Sequence, residues 1–366
     1  MDNSPKRFRL VPILLLSFLV IVAGSVFYYF KNNEMKNNAF KTSFVNAQAV
    51  HVIGDVDASI AEFEKLLNSA PDKVSEAKMR QYLVDNLFDR DEGSDRLKAI
   101  QLTEETINDY RIPPRSRAMA LNILASNIMG ESDSFFRLYF SDETLKKYFP
   151  EDDMRTDSYN IAIKMFKDAE NIYPTPYAEY QITDAYYQLI VAGKLADGLT
   201  SKEDMARAMQ EYIKKGDETI ATDRNYIPGT LARLYYTRVV NGSYAGRILD
   251  NMSMEERETM FKDAIARISA LSTTRDPRVI SYLLRTQFHY AGVLVDYTVG
   301  REVDIQEILK PFSAVNPDST GYEGVNDYFK KVEKRSDENI QKKRIAKLVK
   351  ISPEFKSYLL KLGLEP

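Results

Sequence analysis

The side chains able to do chemistry in this chain are few, and their spacing decides against most reactions. There is no cysteine, so disulfides, thiolate nucleophiles and cysteine metal ligands are excluded throughout. The two histidines, His51 and His289, belong to no helical His-Glu-x-x-His pair, and a zinc or iron centre would need mostly carboxylate ligands. Asp89, Asp91 and Asp95 around Gly93 have the outline of a calcium loop, but Gly93 comes one residue early and Ile100 stands where the closing glutamate is needed. The cluster reads as a polar turn between helices. Glu151, Asp152, Asp153 and Asp157 precede a helix, where acids meet the positive end of its dipole. Gly242-Ser243-Tyr244-Ala245-Gly246 puts its serine one place early for a nucleophile turn, and no glycine-rich phosphate loop ends in Lys-Ser or Lys-Thr. No catalytic site, metal or cofactor is expected. Asn241-Gly242-Ser243 and Asn251-Met252-Ser253 have glycan-acceptor spacing, which matters only in a host with the transferase.

What must position any binding site is a long helical body behind an apolar leader. Leu10 to Phe30 is uncharged and, at about 1.5 Å per helical residue, reaches about 31 Å, enough to cross a hydrocarbon core. Lys6, Arg7 and Arg9 flank one end, and Phe27, Tyr28, Tyr29, Phe30 and Lys31 anchor the other. A cleaved signal peptide with a cut at Ala23-Gly24-Ser25 is the competing reading; the continuation through Val26 to Phe30 favours a retained anchor. The clustered bases before the span place the short N-terminus inside and the rest of the chain outside the cytoplasm.

Beyond the span, apolar residues recur at helical spacing and no sustained period-two run marks a strand, so the body is all-α. A net charge of −3, from 50 Lys plus Arg against 53 Asp plus Glu, does not advertise nucleic acid as a partner. Ala162, Phe166 and Ala169 share one helical face, with Pro174 ending the element. Ser59, Phe63 and Pro71 keep the same spacing, with Leu66 in the second small position, and Ala47 and Val50 stand where a preceding helix would pack.

This small-x3-aromatic-x2-small-x4-Pro spacing resembles the second helix of the tetratricopeptide repeat. The match holds well at two places. Residues 75–112 read as a degenerate repeat, with Thr103 replacing the aromatic. After Pro174 the period lengthens to about fifty residues, and segments around Tyr187, Tyr236 and Tyr290 repeat an aromatic-then-aliphatic pattern, with following helices beginning near Lys202 and Met254. Six helix pairs result, over 40–72, 75–112, 115–174, 177–227, 228–277 and 278–350, with an extra segment from Phe135 to Phe149 inserted. One such repeat cannot bury its own apolar face, so the pairs must stack.

The resemblance implies that first helices line a concave face. Tyr187, Tyr236 and Tyr290 then form a stripe, with Arg233, Arg238 and Arg285 nearby as carboxylate or peptide contacts; Tyr and Arg are the types that most often dominate interfaces. Asp327 to Lys350, rich in Lys and Arg, reads as a capping helix, with attraction to anionic lipid as the alternative. The expected organisation is a basic tail (1–9), a transmembrane helix (10–30), a juxtamembrane linker (31–41), a repeat domain (42–323) and C-terminal capping helices (324–366). The expected function is a membrane-anchored, non-catalytic scaffold that binds proteins or extended peptides, of the plan found in envelope-assembly or secretion systems. The competing expectation is a receptor holding a small molecule or glycan in an aromatic groove.

Overall fold

Proline and polar caps punctuate the body into helices. In the computed structural model the described residues run from 34 to 365, apart from 35, 49, 51–54, 130, 132, 149–157, 223–225, 227, 275, 320–321 and 335–338. They form α1 (36–48), α2 (Val56–Asn68), α3 (Lys73–Arg90), α4 (Asp95–Asn108), α5 (Pro114–Ile128), α6 (Asp133–Tyr139), α7 (Asp142–Tyr148), α8 (Ser158–Ile172) and α9 (Pro176–Val191). These are followed by α10 (Lys202–Thr222), α11 (Pro228–Leu249), α12 (Met254–Leu271), α13 (Pro277–Tyr297), α14 (Glu302–Leu309), α15 (Glu323–Glu333), α16 (Ile340–Leu348) and α17 (Pro353–Lys361). Among the described residues there is no strand, and no helix is long and apolar enough to cross a membrane. The apolar run Leu10–Phe30 and the acidic cluster at 151–157 lie outside the described residues.

Helix starts follow local chemistry. Proline, whose missing N–H is an orphan at a first position anyway, begins α5, α9, α11 and α13. Asp55, Asp72 and Thr175 cap α2, α3 and α9 through their side chains, and Ser253 with Glu256 closes a reciprocal capping box on α12. Asp91 takes a left-handed φ of 53° as it ends α3, and Asp95 accepts two hydrogen bonds from Arg90. The Asp89–Asp95 cluster is therefore the turn between α3 and α4.

The helices stack as antiparallel pairs in two layers. Glu179 meets Thr219 and Tyr186 meets Tyr212, which fixes α9 and α10 as antiparallel. Within the inner layer α3, α5, α9, α11 and α13 run parallel, since Tyr177 meets Arg233 while Tyr187 meets Tyr244, and Tyr236 meets Tyr282 while Arg247 meets Tyr297. The outer layer is α2, α4, α8, α10, α12 and α14. Ala162, Phe166 and Ala169 are fully buried where α8 meets α5, the two alanines giving the ring room to lie between backbones. Phe63 is likewise buried and stacks on Tyr82 with centroids 4.6 Å apart. The core is a chain of local clusters rather than one centre, as expected where each pair covers its neighbour.

Three features add detail to the sequence reading. Helix α1 takes in 36–41, the second half of the segment assigned as a linker. The insertion after α5 is two short helices, α6 and α7. The cap at 327–350 is not one helix, because Asn339 starts α16 anew by accepting from the Gln341 N–H. Behind it Phe288, Phe312, Phe329, Phe355 and Tyr358 pack edge to face, with Phe288 and Phe329 at 5.1 Å and 83°.

Candidate functional site

The inner layer curves far enough for its first and last long helices to line the same space. A cavity of about 490 Å3 is bounded by Lys78, Tyr82 and Asp85 of α3, Arg115, Met119 and Ser126 of α5, Tyr177 of α9, Thr230 and Arg233 of α11, and Arg278 and Tyr282 of α13, with Tyr226 before α11. Its size is that of an ordinary ligand pocket. Arg115, Tyr177, Thr230 and Arg278 all stand in the first turns of their helices, and α5 runs alongside the cavity from Arg115 to Asn127.

Each wall is held in place by hydrogen bonds. Arg233 donates to the Tyr177 hydroxyl at 3.0 Å and to Gln181 Oε1 at 2.7 Å, and its guanidinium lies 5.5 Å from the Tyr177 ring centroid. The Tyr177 hydroxyl also pairs with Ser126 at 3.1 Å. Arg278 donates to Asp276 Oδ1 at 3.1 Å and Oδ2 at 2.8 Å, and the Gly229 N–H donates to the same carboxylate at 3.0 Å. A Cβ at Gly229 would stand 2.5 Å from Arg278 Nε, so glycine is what lets α11 approach that pair. Burial alone would raise the Asp276 carboxyl, but Arg278 outweighs it and holds the group below its usual range. Asn127 donates to Asp85 at 3.1 Å. Lys78 lies 4.3 Å from the Phe44 ring centroid with no acidic partner within ion-pair reach among the described residues, and burial lowers its ammonium pKa.

Beneath this cavity the inner face is filled. Arg285 lies against three rings, 4.5 Å from the centroids of Tyr236 and Tyr328 and 5.0 Å from that of Tyr282, and donates to the Tyr236 hydroxyl at 3.2 Å. His289 Nε2 is 3.1 Å from the Tyr236 hydroxyl and 3.0 Å from that of Tyr328. Burial raises the Asp184 carboxyl pKa, and Arg233 and Arg285 pull it back. Further along, Gln341 of α16 donates to the Tyr187 hydroxyl at 2.7 Å across a buried contact. The space beside Tyr187, His289 and Ile340 is only about 30 Å3.

Of the six residues singled out from the sequence, the structure brings Arg233, Tyr236 and Arg285 together on the inner face. Tyr187 is on that face too, but buried under α16. Tyr290 and Arg238 are elsewhere. Tyr290 stacks on Phe261 of α12 at 5.4 Å and donates to Glu258, and Arg238 pairs bidentately with Asp217 of α10. Both therefore face the outer layer. The reason is rotational: adjacent helix positions are about 100° apart, so His289 rather than Tyr290 turns inward, and two steps from Tyr236 carry Arg238 to the far side.

The sequence reading missed Lys78, Tyr82, Arg115, Tyr177, Arg278 and Tyr282. A signal existed in the prolines, because Pro114-Arg115, Pro176-Tyr177 and Pro277-Arg278 each put a large polar residue in the first turn of an inner helix. Among the described residues no group of three or more His, Asp or Glu side chains is placed to hold a metal ion. No family model, curated protein or solved structure matches this chain.

Proposed function

We propose that this is a membrane-anchored, non-catalytic, tetratricopeptide-like scaffold that captures a short segment of a protein partner in its inner-face cavity. Convergence of five consecutive inner helices on one aromatic and cationic cavity carries the reading, since that is where a stack of helix pairs presents its least repetitive surface. The parallel inner helices and the Ala162-Phe166-Ala169 packing support the tetratricopeptide likeness. The anchor is Leu10–Phe30, which would hold the body outside the cytoplasm.

One observation favours a second reading, a receptor for a small molecule or glycan. The inner face is filled from Arg285 to Gln341, so the open part is a bounded pocket rather than a groove running over every repeat. Native mass spectrometry of the full chain isolated in mild detergent separates the two. A peptide or protein retained by the intact chain, and lost when Thr230→Trp fills the cavity, is the expected result. A retained small molecule lost in the same variant would favour the receptor, and identical masses from both chains would refute a binding role for the cavity.

A further inference from the structure

We propose that a small inorganic oxyanion of the phosphate class binds between the C-terminal halves of α11 and α13 and the start of α12, with Arg257 and Arg247 as its donors. The site lies toward the other ends of the inner helices from the inner-face cavity, and it does not rest on the peptide-binding reading.

A buried guanidinium without an acceptor carries the inference. Arg257, near the start of α12, is 7% exposed, and its Nε is buried with no hydrogen-bond partner. Among the described residues no carboxylate lies within ion-pair reach of it. What it meets instead is the face of Tyr297, the ring centroid lying 5.3 Å from the guanidinium carbon. A ring face attracts the charge, but it does not accept along the N–H edge. The acids beside Arg257 in sequence are turned elsewhere. Glu256 accepts from the Ser253 N–H in the capping box, and Glu258 accepts from Arg301 and Tyr290 and pairs with Lys262. A charge buried in this state is strongly unfavourable unless an opposite charge joins it.

A second guanidinium meets the same tyrosine. Arg247 of α11 donates to the Tyr297 hydroxyl at 3.1 Å and lies 4.9 Å from the Tyr244 ring centroid, again with no carboxylate within ion-pair reach among the described residues. Two like charges are therefore held at one ring with nothing between them. Arg344 of α16 borders the same space but is committed to Asp296, which also binds Lys347. The space these side chains line with Ser243 and Tyr187 is about 30 Å3, room for about two waters or one small ion. Tyr297, 45% exposed, marks the way in. An oxyanion supplies what both arginines lack, since it accepts N–H bonds from each and offsets their repulsion.

The test uses the full chain in nanodiscs of zwitterionic lipid, titrated with inorganic phosphate by calorimetry at constant ionic strength in chloride. One phosphate per chain should bind, and phosphate should raise the denaturant midpoint of the unchanged chain. Arg257→Gln should weaken binding at least tenfold and leave the midpoint indifferent to phosphate. Arg247→Gln, at a half-buried position, should weaken binding at least threefold, which keeps the test informative if Arg257→Gln perturbs folding. Phenyl phosphate stands for an esterified source, such as a lipid headgroup, and should bind at least tenfold more weakly than the free ion. Absence of phosphate binding, affinity unchanged in both arginine variants, or competition by chloride at equal concentration would overturn the proposal. Phenyl phosphate binding as tightly as phosphate would overturn the assignment to a free ion. Binding seen only in the Asp337→Asn/Glu338→Gln variant would show that the chain's own acids occupy the arginines, and the proposal would fall.

Discussion

Replacing Gly216 with alanine pits helix propensity against helix packing, because the two push stability in opposite directions. Gly216 is buried in the middle of α10, and propensity alone predicts that alanine stabilises this helix by about 1 kcal/mol. The structure predicts the reverse. An added Cβ would stand 2.6 Å, 2.8 Å and 3.0 Å from three ring atoms of Tyr180 on α9. That ring is fully buried and cannot swing away cheaply, since its hydroxyl donates to Asp217 at 2.6 Å and Asp217 is gripped by both arms of Arg238. Overpacking of this kind costs about 1–3 kcal/mol. Partial loss of a hydrogen bond to a charged group adds up to about 1.5–3 kcal/mol. Set against the propensity gain, a net loss of about 2 kcal/mol is expected. In a stack of pairs the loss should be local, so the assay is hydrogen exchange of the α9 and α10 amides, which should quicken about 30-fold, with the α3 amides unchanged. Slower exchange in α10, the sign that propensity dictates, would mean that α9 and α10 do not approach at Gly216 and would refute the packing argument.

Other perturbations test other parts of the molecule. Burial raises the Glu179 pKa to about 7, Thr219 and Lys215 opposing and Glu170 and Glu218 assisting. The folded state therefore holds a proton that the unfolded chain has released between about pH 4.5 and 7, so this group's contribution to stability falls as pH rises through that window and is flat above it. Glu179→Gln should stabilise by about 2–3 kcal/mol at pH 8 and by little at pH 4, read from denaturant midpoints; a pH-independent effect would contradict the assignment. Asp296, 14% exposed, binds Arg344 at 2.7 Å and Lys347 at 2.8 Å and so ties α13 to α16. Asp296→Ala leaves Arg344, 9% exposed, without its carboxylate and should cost about 3–5 kcal/mol, with amide exchange rising in α16 and not in α3. For the anchor, added protease should digest the body in intact cells while Met1 or Asp2 remains on the membrane-bound fragment; protection until the membrane is opened would reverse the orientation.

How far the sequence reveals this molecule depends on which residues carry a mark of rotational position. Ala162, Phe166 and Ala169 do, because two small residues flanking a ring suit only a face pressed against another helix, and all three are fully buried where α8 meets α5. Lys202 and Met254 are where α10 and α12 begin. Tyrosine carries no such mark. It is equally at home buried, as Tyr186 and Tyr187 both are, or half-buried against solvent, as Tyr235 and Tyr236 are. A stripe drawn through Tyr187, Tyr236 and Tyr290 therefore drifts by one residue, and one residue is enough to exchange His289 for Tyr290. The cavity was harder still to see, since it depends on curvature that brings Tyr82 and Tyr282 to one place across three intervening inner helices. Nothing local in the sequence encodes that closure.

The central claim is that ligands enter the inner-face cavity, and a photoreactive residue placed there tests it most directly. It would be installed in the full chain at Met119, which lines the cavity, and separately at Tyr110, 84% exposed and outside the lining, with crosslinking in the native cells. The account predicts one defined adduct from Met119, none from Tyr110, and loss of the Met119 adduct when Arg233→Gln is added. The same adduct from Tyr110 with none from Met119, or a Met119 adduct indifferent to Arg233, would contradict it.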